Sequence, residues 1–173
     1  MTNTPTPKFP VMTHSLHAEL KRRVNHYLEN NAIKATGNFK LFSKAIILMS
    51  LFVITYIHLI FFTPSAGYAL LECILFGSLI AAIGFNVMHD GSHGSFSKYP
   101  WLNKLAFSSI SVMGASRHMW AMKHVTLHHT YTNIDGVDDD IEIGFLMRMA
   151  PTQKHYLLHR FQHIYFWILY MLL

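Results

Sequence analysis

The sequence predicts an all-α integral membrane fold: a transmembrane helical hairpin, then cytosolic or interfacial helices carrying histidine clusters, then the opening of a third transmembrane helix. Three observations predict it. Of 173 residues, 51% are hydrophobic and only 13% charged, about half the charged fraction of an ordinary soluble domain (roughly 25%). Two apolar runs of bilayer-spanning length lie close together. Thirteen histidines stand against one cysteine, Cys73, which excludes an internal disulfide framework and a thiolate zinc cluster. A metal site in this chain must be built from imidazole and perhaps carboxylate.

Residues 1–40 read as a cytosolic N-terminal segment. It is polar and Pro/Thr-rich from Met1 to Pro10, then amphipathic from Ser15 to Glu29, with Lys21, Arg22 and Arg23. The first apolar run begins too far in for a secretory signal and lacks a small-residue cleavage pattern, so the N-terminus is expected to be retained and cytosolic. Residues 41–173 read as a partial membrane domain. Ala45–Phe62 has no formal charge and about the length that crosses a bilayer core. Thr63 to Gly67 supplies the turn, and Tyr68–Met88 is the second span. So short a loop forces antiparallel helices, whose outer ends return to one side.

Charge assigns that side. Lys21, Arg22, Arg23, Lys34, Lys40 and Lys44 precede the hairpin, Lys98, Lys104, Arg117 and Lys123 follow it, and the loop has no basic residue. The positive-inside rule puts both flanks in the cytosol. The net charge of +5 therefore reads as topology; the basic residues form no dense patch with interleaved aromatics, so nucleic acid is not a partner. Trp101–Trp120 is mildly apolar with Asn103, Lys104 and Arg117, as in an interfacial helix. Tyr131–Glu142 is a polar loop with Asp138, Asp139 and Asp140. Ile164–Leu173 is apolar but too short to cross, and reads as the start of a third span.

The histidines fall in two groups. His89 and His93 follow the second span at i and i+4, on one face if the helix continues, although Gly91 and Gly94 weaken a helix by about 1 kcal/mol each. His124 and His128 repeat that spacing. His129 is turned by about 100° from His128 on an α-helix, which suits two nearby metals better than one. Imidazole accepts zinc, copper, iron or nickel, and composition does not choose among them.

At these residues the chain resembles the membrane fatty acid desaturases, particularly bacterial acyl-CoA or acyl-lipid desaturases of the linoleoyl, front-end type. The matching pieces are Met88–Ser97 (MHDGSHGSFS), Gly114–Trp120 with Lys123–Asn133 (KHVTLHHTYTN), Gly136–Ile141 (GVDDDI) and His159–Tyr165 (HRFQHIY). The resemblance implies two iron ions in a di-iron centre held by three histidine boxes at the cytosolic face. It also implies dioxygen, electrons from a separate cytochrome b5-type or ferredoxin-type donor, and insertion of a double bond into a long-chain acyl-CoA or acyl-lipid. It makes His89 and His93 first-box ligands, and His124, His128 and His129 second-box ligands. No third box of the Gln-x-x-His-His kind occurs in these residues. The resemblance places it after a further membrane hairpin, beginning where this sequence stops, so the polypeptide alone is expected to be inactive. A multi-pass protein of a bacterial inner membrane is the expected setting.

Other residues have assigned expectations. Asp90 and one or two of Asp138, Asp139 and Asp140, with Asp139 the leading candidate, are expected to orient ligand imidazoles or to form a solvated acidic loop. Trp120 and Lys123, just before the second box, are substrate or headgroup candidates, with interfacial anchoring as the plainer role. His155, His159 and His163, at i, i+4 and i+8, read as a rim or supporting group rather than ligands. His58 and Glu72 lie about two turns from the hairpin loop and are expected to pair. The competing functions are a related di-iron hydroxylase or ketolase and a non-catalytic metal-binding membrane protein. Metal transport would need ligands along the spans, and a haem protein opposed histidines within them, where only His58 lies.

Overall fold

The computed structural model describes residues 7–10, 15–62 and 65–172, the last three by backbone alone. Most of the Pro/Thr-rich start, the Thr63–Pro64 part of the hairpin turn and Leu173 at the end of the third apolar run lie outside the described residues. Every regular element among the described residues is helical. The chain divides into two units, Val11–Arg117 and His118–Leu173 with Met1–Pro10.

The first unit opens with α1 (Leu16–Asn30). The Ser15 hydroxyl caps it, accepting the Ala18 N–H at 3.0 Å. Glu19 in its first turn binds both Arg22 and Arg23. Leu16, Leu20, Val24 and Tyr27 form an exposed apolar stripe, the pattern of a helix that lies on a membrane surface.

Among the described residues, two helices are long and apolar enough to cross a membrane. α2 (Phe39–Phe61) starts six residues before the expected span, because Asn38 caps it by accepting the Leu41 N–H. α3 (Ala66–Ile83) continues without a break through a π-helical segment (Gly84–Met88) into α4 (His89–Ser92). The hairpin packs through Phe52 on Phe76, stacked at 4.7 Å, and through Ala45, Leu79, Ile83 and Val87. His58 Nδ1 lies 2.8 and 3.0 Å from the two carboxylate oxygens of Glu72, as the helix counting expected. The outer faces remain exposed and apolar, with Ile46, Ile54, Leu70 and Leu71 among them.

The π-helical segment has a local cause. Its wider turn leaves the Ala82 carbonyl to the Asn86 amide, which donates to it at 2.8 Å, while the Asn86 oxygen accepts from Lys44 of α2 at 2.6 Å. One side chain thus satisfies the irregular turn and ties it to the neighbouring helix.

α5 (Pro100–Val112) crosses α4 at Gly91. A Cβ there would lie 2.6 Å from the Phe107 backbone nitrogen and 2.8 Å from the Ala106 methyl. Gly94, at φ +70°, turns the chain out of α4. Asn103 holds that turn, accepting from Ser97 N–H at 2.7 Å and donating to the Gly94 and Ser97 carbonyls. The expected Trp101–Trp120 helix is two pieces: α5 ends at Val112, the chain turns at Gly114 (φ +90°), and α6 (Arg117–Trp120) begins anew.

The second unit continues from α6 through a π-helical segment (Ala121–His128), α7 (His129–Tyr131) and a 3-10 turn (Asp139–Ile141). A second 3-10 turn (Leu157–Phe161) leads into α8 (Gln162–Leu172). The irregular stretch between the turns is held by side chains. Gln153 accepts from the Met149 and Ala150 N–H groups, Gln162 exchanges hydrogen bonds with both backbone groups of Arg148, and the Tyr165 hydroxyl donates to the Leu146 carbonyl. Phe9 stacks on Tyr131 at 5.7 Å.

Candidate metal centre

In the first unit, the unbroken run from α3 through α4 carries the first pair of histidines. His89 is the first residue of α4 and His93 its C-cap, with ring centroids 4.6 Å apart. Asp90, an expected orienting carboxylate, does not hold His89: the closest approach is 3.9 Å, beyond hydrogen-bond length. Its backbone matters more, because the Asp90 carbonyl accepts from the Ser95 and Phe96 N–H groups and from the Ser95 hydroxyl.

In the second unit, the π-helical segment brings His124 and His128 into a stack, with centroids 5.1 Å apart and planes 14° from parallel. Hydrogen bonding from i to i+5 widens the turn, and the Thr126 hydroxyl takes up the Ala121 carbonyl five residues back. His129, the first residue of α7, meets both rings nearly edge-on, at 4.9 Å from His124 and 5.3 Å from His128. Trp120 covers His124 at 4.5 Å. Its indole N–H is buried with no acceptor among the described residues, a cost of about 1–3 kcal/mol.

Behind these rings stand carboxylates. Asp138 has no solvent exposure. Its oxygens lie 3.0 Å from His128 Nδ1 and accept the Asn133 N–H at 2.8 Å and the Asp140 N–H at 3.1 Å. Burial by itself favours the neutral acid, but the hydrogen bonds from Asn133, His128 and Asp140 together hold the Asp138 carboxyl below its ordinary value. Asn133 aims its N–H there from a left-handed conformation, φ 62°, which asparagine tolerates better than most residues. Asp140 lies 2.8 Å from His124 Nδ1 and 3.6 Å from His128 Nδ1.

These contacts fix the tautomers. An ionised carboxylate only accepts, so His124 and His128 each donate through Nδ1–H, and the lone pair that can bind a metal sits on Nε2. One possible donor atom each from His124, His128 and Asp140 lies within 4.8 Å of the others; with Asp140 taken up by the His124 Nδ1–H, the two imidazoles keep their Nε2 atoms as the ones that could hold a metal ion. The donor chemistry fits iron as it fits zinc or copper.

Asp139 is a correction. It pairs with Lys123 at 3.1 Å, both side chains about half exposed, and touches no imidazole in the contacts described. Asp138 is the extended N-cap of the 3-10 turn, its side chain accepting the Asp140 N–H, and that turn sends Asp138 and Asp140 to the imidazoles and Asp139 to Lys123. The pairing also gives Lys123 a carboxylate rather than a headgroup partner. His155, His159 and His163 share no helix: one lies in a loop, one in a 3-10 turn and one in α8. His159 is buried, accepts the Tyr156 N–H on Nδ1 and donates from Nε2 to the Phe145 carbonyl at 2.8 Å. Both its nitrogens are used in holding the backbone, so it is not a ligand.

The fatty acid desaturase family profile matches residues 63–173. The chain belongs to that family. The chain is 40% identical over 152 residues to an sn-1 linoleoyl-lipid 6-desaturase of Arthrospira platensis, covering 88% of the chain and 41% of that protein. It is 32% identical to the sn-1 linoleoyl-lipid 6-desaturase of Synechocystis sp., covering 88% of the chain and 42% of the relative. It is 31% identical to an acyl-lipid (8-3)-desaturase of Physcomitrium patens, covering 87% and 32%. The chain thus spans about two fifths or less of the length of these relatives. No solved structure matches it.

Proposed function

We propose that this desaturase chain forms part of an oxygen-dependent, di-iron acyl-lipid desaturase, with His89, His93, His124, His128 and His129 as iron ligands. The observation that carries the reading is the carboxylate behind each stacked imidazole. Asp140 on His124 and Asp138 on His128 orient Nε2 outward and raise its basicity, the arrangement by which supporting carboxylates strengthen histidine ligands. A merely solvated histidine has no need of a fully buried anion.

The reaction removes one hydrogen from each of two adjacent methylenes of an acyl chain. Dioxygen, two electrons and two further protons accept them as two waters. Bound iron would supply the dioxygen and one-electron chemistry that breaks an unactivated C–H bond. The protein's own part is positional. The three rings of the second unit are held in fixed mutual orientation, Trp120 shields one of them, and Asp138 keeps His128 in one tautomer. The acyl-lipid names of the relatives favour a membrane lipid substrate, and the electrons come from a separate donor of the cytochrome b5 or ferredoxin type. Helices α2 and α3 anchor the chain in the bilayer with the histidines on the cytosolic side, an orientation that the positive flanks support. The third histidine box is absent from this sequence, so the 173-residue polypeptide is proposed to bind iron without desaturating lipid.

Anaerobic titration of the purified chain with ferrous iron, followed by metal analysis, tests the assignment. Iron is expected to be retained by the native chain and lost from His124→Ala and His128→Ala. Retention by both variants would sink it. Lipid analysis of cells expressing the chain with a competent donor should show no new double bond.

A further inference from the structure

Two cavities lie side by side in the cleft between α2 and α5, and they differ sharply in chemistry. The first, about 470 Å³, is almost wholly apolar and lined by Ala45, Ile46, Met49, Val87, Leu105 and Val112 among others. The second, about 500 Å³, opens at the starts of both helices and is lined by Lys34, Thr36, Asn38, Ser97, Lys98 and Tyr99 among others. Leu102 lines both. Around them the two sides are stitched by the Gly37 N–H to the Ser95 carbonyl at 3.1 Å and by Phe42 against Phe96, edge-on at 5.3 Å.

The basic end has no acidic lining residue, and neither lysine has a carboxylate partner among the described residues. Asp90 lines an adjoining cavity with Lys34 but makes no ion pair with it. Lys44 is committed to Asn86, and Arg117 to Ser108 and the Phe107 ring. Lys98 lies over the Tyr99 ring at 4.9 Å, which does not neutralise its charge, so Lys34 and Lys98 remain as cations without an anion at this end of the cleft. From Phe39 at this end to Ser50 in the apolar cavity the helix rises about 16 Å, close to half the roughly 30 Å hydrocarbon core. That is the length of one leaflet.

We propose that this cleft binds an anionic phospholipid of the bilayer, its phosphate between Lys34 and Lys98 and one acyl chain along the apolar half. No histidine lines either cavity, and the site serves a bound lipid rather than the reacting one. It rests on the membrane reading of α2 and α3. Juxtamembrane lysines attract anionic lipid additively, and the apolar half makes a free anion a poorer occupant than a lipid.

The test is native mass spectrometry of the full 173-residue chain in detergent, titrated with dioleoylphosphatidylglycerol or dioleoylphosphatidylcholine. The anionic lipid should bind about tenfold more tightly. Lys34→Gln with Lys98→Gln should abolish that preference, while Lys21→Gln on α1 should keep it. Leu105→Trp, which narrows the apolar half, should weaken both lipids. Equal affinity for the two lipids overturns the proposal, as does an unchanged preference in the double variant or displacement of the lipid by millimolar inorganic phosphate. Carbonate extraction of membranes carrying the chain separates the two failures. A chain that is extracted overturns the membrane reading and the site together; one that stays embedded without preference overturns the site alone.

Discussion

The Nδ1 atom of His128 lies 3.0 Å from each carboxylate oxygen of Asp138, a side chain with no solvent exposure. A buried anion persists only where donors surround it, and here two backbone N–H groups complete the set. The pair makes His128 a donor on one side and leaves its Nε2 lone pair to face a metal on the other.

Asp138→Asn should therefore weaken iron binding about 10–100-fold, because an amide no longer compels the Nδ1–H tautomer. It should also lower stability by about 1–3 kcal/mol. Asp139→Asn, which disturbs only the exposed pair with Lys123, should leave iron affinity within about twofold and stability within about 0.5 kcal/mol. Metal titration and thermal unfolding in detergent measure both. Equal effects of the two substitutions would remove the special role of Asp138.

Gly91→Ala should destabilise the first unit by about 1–3 kcal/mol. The new methyl meets the Phe107 backbone at 2.6 Å, and backbone cannot swing aside as a side-chain tip can. Gly77→Ala, on the open face of α3 with nothing within 4 Å of the added atom, should be neutral or stabilising by up to about 1 kcal/mol. Unfolding midpoints of the two variants in mild detergent distinguish a packing glycine from a dispensable one.

The His58–Glu72 contact should show a coupling of about 0.5–1.5 kcal/mol in a double-mutant cycle of His58→Ala and Glu72→Ala, the range of polar pairs between membrane helices. Additive single effects would mean that lipid headgroups or water satisfy each side chain separately.

Glu19 provides a pH marker in α1. Hydrogen bonds from Arg22, then Arg23, lower its pKa from 4.5 to about 2. A depressed carboxylate pKa stabilises the helix above the unfolded value and loses that contribution as pH falls through the folded one. The Glu19 contribution to α1 should thus be intact above pH 4.5 and fade toward pH 2. Carboxyl-carbon NMR of the folded chain reads this titration directly, and Arg22→Gln with Arg23→Gln should return it toward 4.5.

Much of the helical order could be read before any coordinates. Two apolar runs with a turn between them place α2 and α3, and counting from that turn pairs His58 with Glu72. Element ends were less legible. Asn38 starts α2 before the apolar run does, and Gly114 divides a stretch whose composition reads as continuous. At the histidines, spacing alone cannot foresee a π-helical turn, because the wider turn depends on which side chain takes up the displaced carbonyl. Gly91 reads as a helix-weakening residue until α5 is laid across it.

Composition and spacing by themselves determined the helical class, the hairpin and the histidines as candidate ligands, because hydrophobic length and helical period are local properties. Only the tertiary structure decided which aspartates serve the imidazoles and that His159 holds backbone instead of metal. It also decided that Lys34 and Lys98, neither with a carboxylate partner among the described residues, line a cavity beside an apolar one. Those are questions of which groups face one another across loops, and a hydrogen bond needs an approach within about 3 Å that no one-dimensional pattern encodes.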